Sequence, residues 1–147
     1  MTIELPPWLG TLFAFLVCGA ALWKGGRDER IGSATLLINM AATVALRDRS
    51  WSPVQYGGFA VDVATLAVFL MLALRSSRFW PMAAAAFQLL AVMTHVAKLV
   101  DPLLKPWAYI TAIVIWTYLL FITLGVGTWN AWRARSEAAG ASEDAPG

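Results

Sequence analysis

The sequence predicts an all-α polytopic membrane bundle of five transmembrane helices, and three observations predict it. Residues are 59% hydrophobic and only 14% charged, with a mean hydropathy of +0.64, where soluble domains run nearer a quarter charged. The charges are gathered rather than dispersed: Lys24 with Arg27–Arg30, Arg47–Arg49, Arg75 with Arg78, and Arg133 with Arg135. These clusters cut the chain into apolar blocks, and most of the eight tryptophans (Trp8, Trp23, Trp51, Trp80, Trp107, Trp129 and Trp132) stand near block ends, where an amphipathic ring suits the headgroup zone.

The blocks give spans at about 7–23, 31–46, 56–74, 79–100 and 108–132, against the roughly 17 to 25 apolar residues that a crossing helix needs. The first has no positive region ahead of it and so does not read as a signal peptide. Within it Leu16-Val17-Cys18-Gly19 lacks the small residue that a lipid-attachment box places before its cysteine, and Cys18 reads as a buried small residue. The second block is the shortest and contains Asn39. Turn formers separate the blocks: Gly25-Gly26, Ser50-Trp51-Ser52-Pro53, Ser76-Ser77, and Asp101-Pro102 with Pro106. Pro81 suits the first turn of the fourth helix. After Arg135, residues 136–147 are Ala, Gly, Ser and acid, too polar to bury apolar area, and are predicted to form a structureless cytoplasmic tail.

Basic residues set the predicted orientation, because cytoplasmic loops are enriched in them. Five spans place Lys24, Arg27, Arg30, Arg75, Arg78, Arg133 and Arg135 on one side and Arg47, Arg49 and Lys105 on the other, seven against three. Leaving out the second block gives six against four. The chain is therefore predicted to run with its N-terminus outside and its C-terminus in the cytoplasm.

Polar residues inside the blocks are the candidates for function, since each must find a partner or a task. Counted from the outer block ends, His95 lies about 8 Å deep, Asp62 about 9 Å, Asn39 about 10 Å and Trp116 about 12 Å. That common depth predicts one intramembrane polar layer of Asn39, Asp62, His95 and Trp116. Tyr109 and Thr111 lie shallower as possible supports. Gln88 stands seven residues before His95, so both share a helix face to within about 20°, and is read as a packing contact below the layer. Lys98, near the outer block end, is read as a snorkelling anchor. Thr35, Asn39 and Thr43 repeat every four residues, Asp62 and Thr65 share a face, and Tyr109, Trp116 and Thr123 repeat every seven, so these stripes are expected to face one another.

His95 is the one histidine. It can act as a structural donor, as a proton carrier, or as an axial ligand to haem or another porphyrin. A bis-histidine haem would need a second copy of the chain. Asp62, which must be protonated or paired at that depth, has His95 or Lys98 as its natural partner. Arg27, Asp28, Glu29 and Arg30 read as a cytoplasmic anchor, with the acids favouring a helix N-terminus, or as a docking surface for a partner subunit. Arg78 and Trp80 suit lipid phosphates.

The phrases Arg27-Asp28-Glu29-Arg30, Arg78-Phe79-Trp80-Pro81, Phe87-Gln88-Leu89-Leu90, Thr94-His95, Asp101-Pro102 and Ala108-Tyr109 together resemble a group of small multi-span bacterial inner-membrane proteins. The resemblance covers about residues 23 to 129. It implies the architecture and a bacterial inner membrane, and brings no activity, cofactor or catalytic residue.

Residue content sets aside several reaction classes. A single cysteine excludes an intrachain disulfide and multi-cysteine metal or iron–sulfur sites, and there is no Gly-rich phosphate loop, zinc motif or nucleophile elbow. No serine lies inside blocks three to five to pair with His95. The expectation is a non-enzymatic membrane protein that self-associates or serves as an accessory subunit of a membrane complex, with the bilayer as its surroundings and no nucleic-acid partner. The alternatives are a small proton-coupled transporter or channel using Asp62 and His95, and a haem or porphyrin redox protein using His95. No metal and no other cofactor is expected.

Overall fold

The computed structural model describes residues 7–46, 56–101 and 103–143. Five helices fill this range: α1 (Pro7–Lys24), α2 (Arg27–Ala45), α3 (Tyr56–Arg75), α4 (Trp80–Val100) and α5 (Pro106–Glu143). No strand occurs among the described residues. Arg47, Asp48, Arg49, the 50–53 turn with Trp51, Pro102 and the last four residues lie outside them. Three helices, α3, α4 and α5, are long and apolar enough to cross a membrane, while α1 is apolar but shorter.

The helices pack in chain order. Each touches the next, α1 closes the ring against α5, and α2 also reaches α5 across the middle. Tight connections join α1 to α2 at Gly25-Gly26 and α3 to α4 at 76–79, so these two turns lie together at one end, the turn end below. The α4–α5 connection lies at the other.

Two boundaries differ from the sequence expectation. Helix α2 starts at Arg27 instead of Ile31, because Glu29 turns back and accepts the Gly26 backbone N–H at 2.8 Å, satisfying a helix-terminal donor in the manner of a capping box. Four charged residues thereby become its first turn, and the shortest block becomes a helix of 19 residues, about 28 Å long. The structureless tail is corrected as well: α5 continues without a break to Glu143, for 38 residues. Alanine and glutamate at 137–139, strong helix formers, carry it past the bundle with residues 133–141 exposed.

Small residues set the packing. Ala14, Cys18 and Ala21 recur at spacings of four and three on one face of α1, and all are buried, which lets that helix approach its neighbours closely. Ser33 on α2 donates to the Cys18 carbonyl of α1 at 3.0 Å. Trp80 departs furthest from expectation. The sequence places it in an interfacial belt, yet it is 6% exposed, whereas Trp8, Trp23, Trp107 and Trp129 are each more than half exposed. Its indole lies between two glycines on different helices. A Cβ on Gly32 of α2 would fall 2.7 Å from the ring, and one on Gly127 of α5 would fall 2.5 Å from it. Phe69 of α3 meets the same ring edge-on, centroids 6.4 Å apart.

A methyl group at position 127 should therefore act very differently from one in open space. Gly127→Ala must displace the buried indole and is expected to cost about 1 to 3 kcal/mol. Gly19→Ala, where a Cβ meets nothing within 4 Å, should leave stability unchanged or raise it by up to about 1 kcal/mol. Thermal unfolding of the two variants in detergent checks both; equal transitions would contradict the packing.

Candidate functional site

Side-chain hydrogen bonds between helices gather in two clusters, one near the turn end and one toward the other end.

The second cluster is centred on Asp62, in the second turn of α3. Its Oδ1 accepts from Asn39 Nδ2 of α2 at 3.0 Å and from Gln88 Nε2 of α4 at 3.1 Å. Its Oδ2 lies 3.0 Å from His95 Nε2 of α4. Asn39 also donates to Thr65 Oγ1 at 2.8 Å, and Gln88 to the Asp62 carbonyl at 3.1 Å. The Tyr109 hydroxyl of α5 lies 2.7 Å from His95 Nδ1. Four helices therefore share one network, and His95 is buried within it, flanked by the rings of Phe59 and Tyr109.

Proton bookkeeping follows from the acceptor-only nature of an ionised carboxylate. Facing Asp62, His95 Nε2 bears hydrogen and donates. In a neutral ring Nδ1 then accepts from the Tyr109 hydroxyl, and protonation of the ring reverses that one bond only. Both ring nitrogens are held by protein partners, so iron ligation through His95 would have to break one of these bonds.

Of the residues the sequence singles out, Asn39, Asp62, His95 and Tyr109 meet directly. Gln88 is an Asp62 ligand rather than a packing contact below the layer, because the seven-residue spacing brings it onto the face His95 occupies. Trp116 stands beside the network without bonding to it: its Nε1 donates to Thr94 Oγ1 at 3.1 Å, and it lines, with Asn39, Asp62 and Gln88, a cavity of about 40 Å³. Thr111 is exposed and takes no part. Lys98 does not snorkel. It is 5% exposed and its Nζ donates to the Leu104 carbonyl at 2.5 Å, because Leu104 lies back against the end of α4, with the Asp101 carboxylate accepting from the Leu103 N–H at 3.0 Å. Thr65 enters the network through the i, i+3 spacing from Asp62, a signal present in the sequence. Thr94 had no comparable signal.

At the turn end the centre is Glu29, fully buried. Oε1 accepts from Trp80 Nε1 at 2.8 Å and from Arg78 Nη1 at 3.1 Å, and Oε2 accepts from the Gly26 N–H. Next to it Asp28 Oδ2 accepts from Ser76 Oγ at 2.6 Å. The docking surface expected of residues 27–30 is corrected accordingly: both acids point into the bundle and bind the α3–α4 turn, leaving only Arg27 and Arg30 exposed. The physical reason is that a carboxylate in the first turn of α2 lies within reach of an indole N–H and a guanidinium from the neighbouring turn.

Among the described residues no buried side-chain nitrogen or oxygen lacks a partner, and no three His, Cys, Asp or Glu side chains form a metal-binding group.

Removing the Glu29 carboxylate strands three donors at once. Glu29→Ala should cost about 3 kcal/mol or more, while Glu29→Gln, which keeps an acceptor for the indole, should cost less than half as much. Tryptophan fluorescence during denaturation measures both, and equal losses would show that the acceptor oxygens are not what matters. No protein-family model matches this chain, and no curated protein or solved structure is similar to it.

Proposed function

We propose that the chain is a multi-pass integral membrane protein without enzymatic activity, acting as a self-associating or accessory subunit of a membrane complex in a bacterial inner membrane. Five spans, with the N-terminus outside and the turn end in the cytoplasm, agree with the distribution of basic residues. The observation that carries the reading is that Asn39, Asp62, Gln88, His95 and Tyr109 bond to one another across four helices, which is what intramembrane polar residues do when they fix helix packing. The part of α5 beyond Trp132 supports an accessory role. A lone helical arm is marginal in water and gains stability from a partner surface.

One observation favours a second reading, in which the layer moves protons. Asp62, His95 and Tyr109 form an unbroken carboxylate–imidazole–phenol chain, and the cavity beside Asp62 exceeds the roughly 15 Å³ needed for one water. Toward the turn end, however, the packed interior is Phe69, Leu72, Ala84, Ala85, Phe121 and Leu124, so the chain leads in one direction only.

Asp62→Asn distinguishes the two. The packing reading expects an assembled protein with a lowered unfolding transition, by about 1 to 2 kcal/mol, and no proton flux above empty liposomes for either form. Wild-type flux that is abolished in an intact Asp62→Asn protein would overturn it.

A further inference from the structure

We infer that Arg27, Arg30 and Arg135 form a binding site for the phosphate of an anionic phospholipid. The inference rests on the membrane reading above. These three residues, with Gly25, Gly26 and Ile31, line an open cleft of about 460 Å³ between the α1–α2 turn and α5. Arg27 and Arg30 are three residues apart and share a face of α2. Both are exposed, and neither makes a side-chain hydrogen bond or ion pair among the described residues. Arg135 is held in place instead: its Nε donates to the Ala131 carbonyl at 3.2 Å and its Nη2 to the Lys24 carbonyl, so its guanidinium is pinned at the cleft by a bond from α5 to the end of α1.

No acid lines this cleft. The two nearest in sequence are spent on other partners, Asp28 on Ser76 and Glu29 on Arg78, Trp80 and the backbone N–H of Gly26. Three arginines thus line one cleft with no acid in its wall, an arrangement that favours entry of an anion. Guanidinium forks match phosphate oxygens in geometry as well as charge.

The surroundings select among phosphates. Ile31 forms part of the cleft wall and is 38% exposed, and Lys24, whose carbonyl holds Arg135, places its ammonium 4.9 Å above the Trp132 ring. A soluble anion has no use for the exposed Ile31 side chain, whereas the glycerol and upper acyl carbons of a lipid would cover it. Basic pockets on the cytoplasmic side of membrane helices meet a leaflet that supplies such headgroups.

The test uses the full chain purified in a neutral detergent and titrated with phosphatidylglycerol, phosphatidylcholine or inorganic phosphate, with bound lipid read by native mass spectrometry. One saturable phosphatidylglycerol site is expected, weakened about tenfold or more in Arg27→Gln/Arg30→Gln and unchanged in Arg133→Gln, a charge removal outside the cleft where the guanidinium pairs only with Glu137. The double variant removes side chains that bond to no other side chain or backbone group among the described residues, so folding is retained; Arg135→Gln should show the same loss where its unfolding transition matches wild type. Equal weakening by Arg133→Gln would overturn the site as general charge attraction. Equal binding of phosphatidylcholine would overturn it as detergent-like adsorption, and displacement by millimolar inorganic phosphate would overturn the lipid as its ligand. Release of the chain from membranes by alkaline carbonate would defeat the membrane reading itself, whereas a chain that stays in the membrane and binds no lipid defeats this site alone.

Discussion

The bond between the Glu29 carboxylate and the Trp80 indole is the constraint on which the turn end of the bundle depends. A fully buried acid is tolerable only when its oxygens are occupied, and here they are shared among an indole, a guanidinium and a backbone amide from three different places in the chain. Holding Trp80 in that position forces its ring against α2 and α5, which explains why glycine occupies 32 and 127, the two positions where any side chain would collide with it. One carboxylate thereby caps its own helix, orients the largest buried aromatic and fixes the α3–α4 turn.

The Asp62 network acts at the other end by the same logic. A second carboxylate draws donors from neighbouring helices, with Asn39, Gln88 and His95 each supplying one N–H, and Tyr109 extends the network to α5. Between the two lies an apolar stretch of Phe69, Leu72, Ala84, Leu120 and Phe121. In a bilayer the apolar faces alone discriminate little between neighbouring helices and lipid. Two polar tie points at different heights supply what such faces lack, a defined register and a defined rotation for the helices they join, α2 to α5.

That division bears on function. Polar groups consumed in mutual bonds leave the interior as scaffold, and the groups without internal partners are found on the surface, above all Arg27 and Arg30. The same first turn of α2 is thus divided: its acids face inward and lock the bundle, while its arginines stay exposed. Two acids flanked by two arginines along four consecutive residues become a division of faces once the segment is helical.

How much of this was legible in the sequence depends on the range of the interaction. Apolar block length and charge clustering are local properties, and they placed five helices close to where they occur. Helical periodicity is also local, and it put Gln88 with His95 and Asp62 with Thr65; depth counting then brought Asn39, Asp62 and His95 to one layer. What only the tertiary structure decided involves partners far apart in the chain. Glu29 and Trp80 are 51 residues apart, and nothing in either local pattern distinguishes a buried acid from an interfacial one or a core indole from a belt indole. Lys98 was misjudged for a related reason, since its fate depended on a connection folding back to offer a carbonyl. The tail was misread because low hydrophobicity speaks to burial and not to backbone conformation, which alanine and glutamate favour as helix even when nothing is buried. Local composition determined the elements, and the satisfaction of buried polar groups, a condition that only the assembled chain can meet, decided how they fit together.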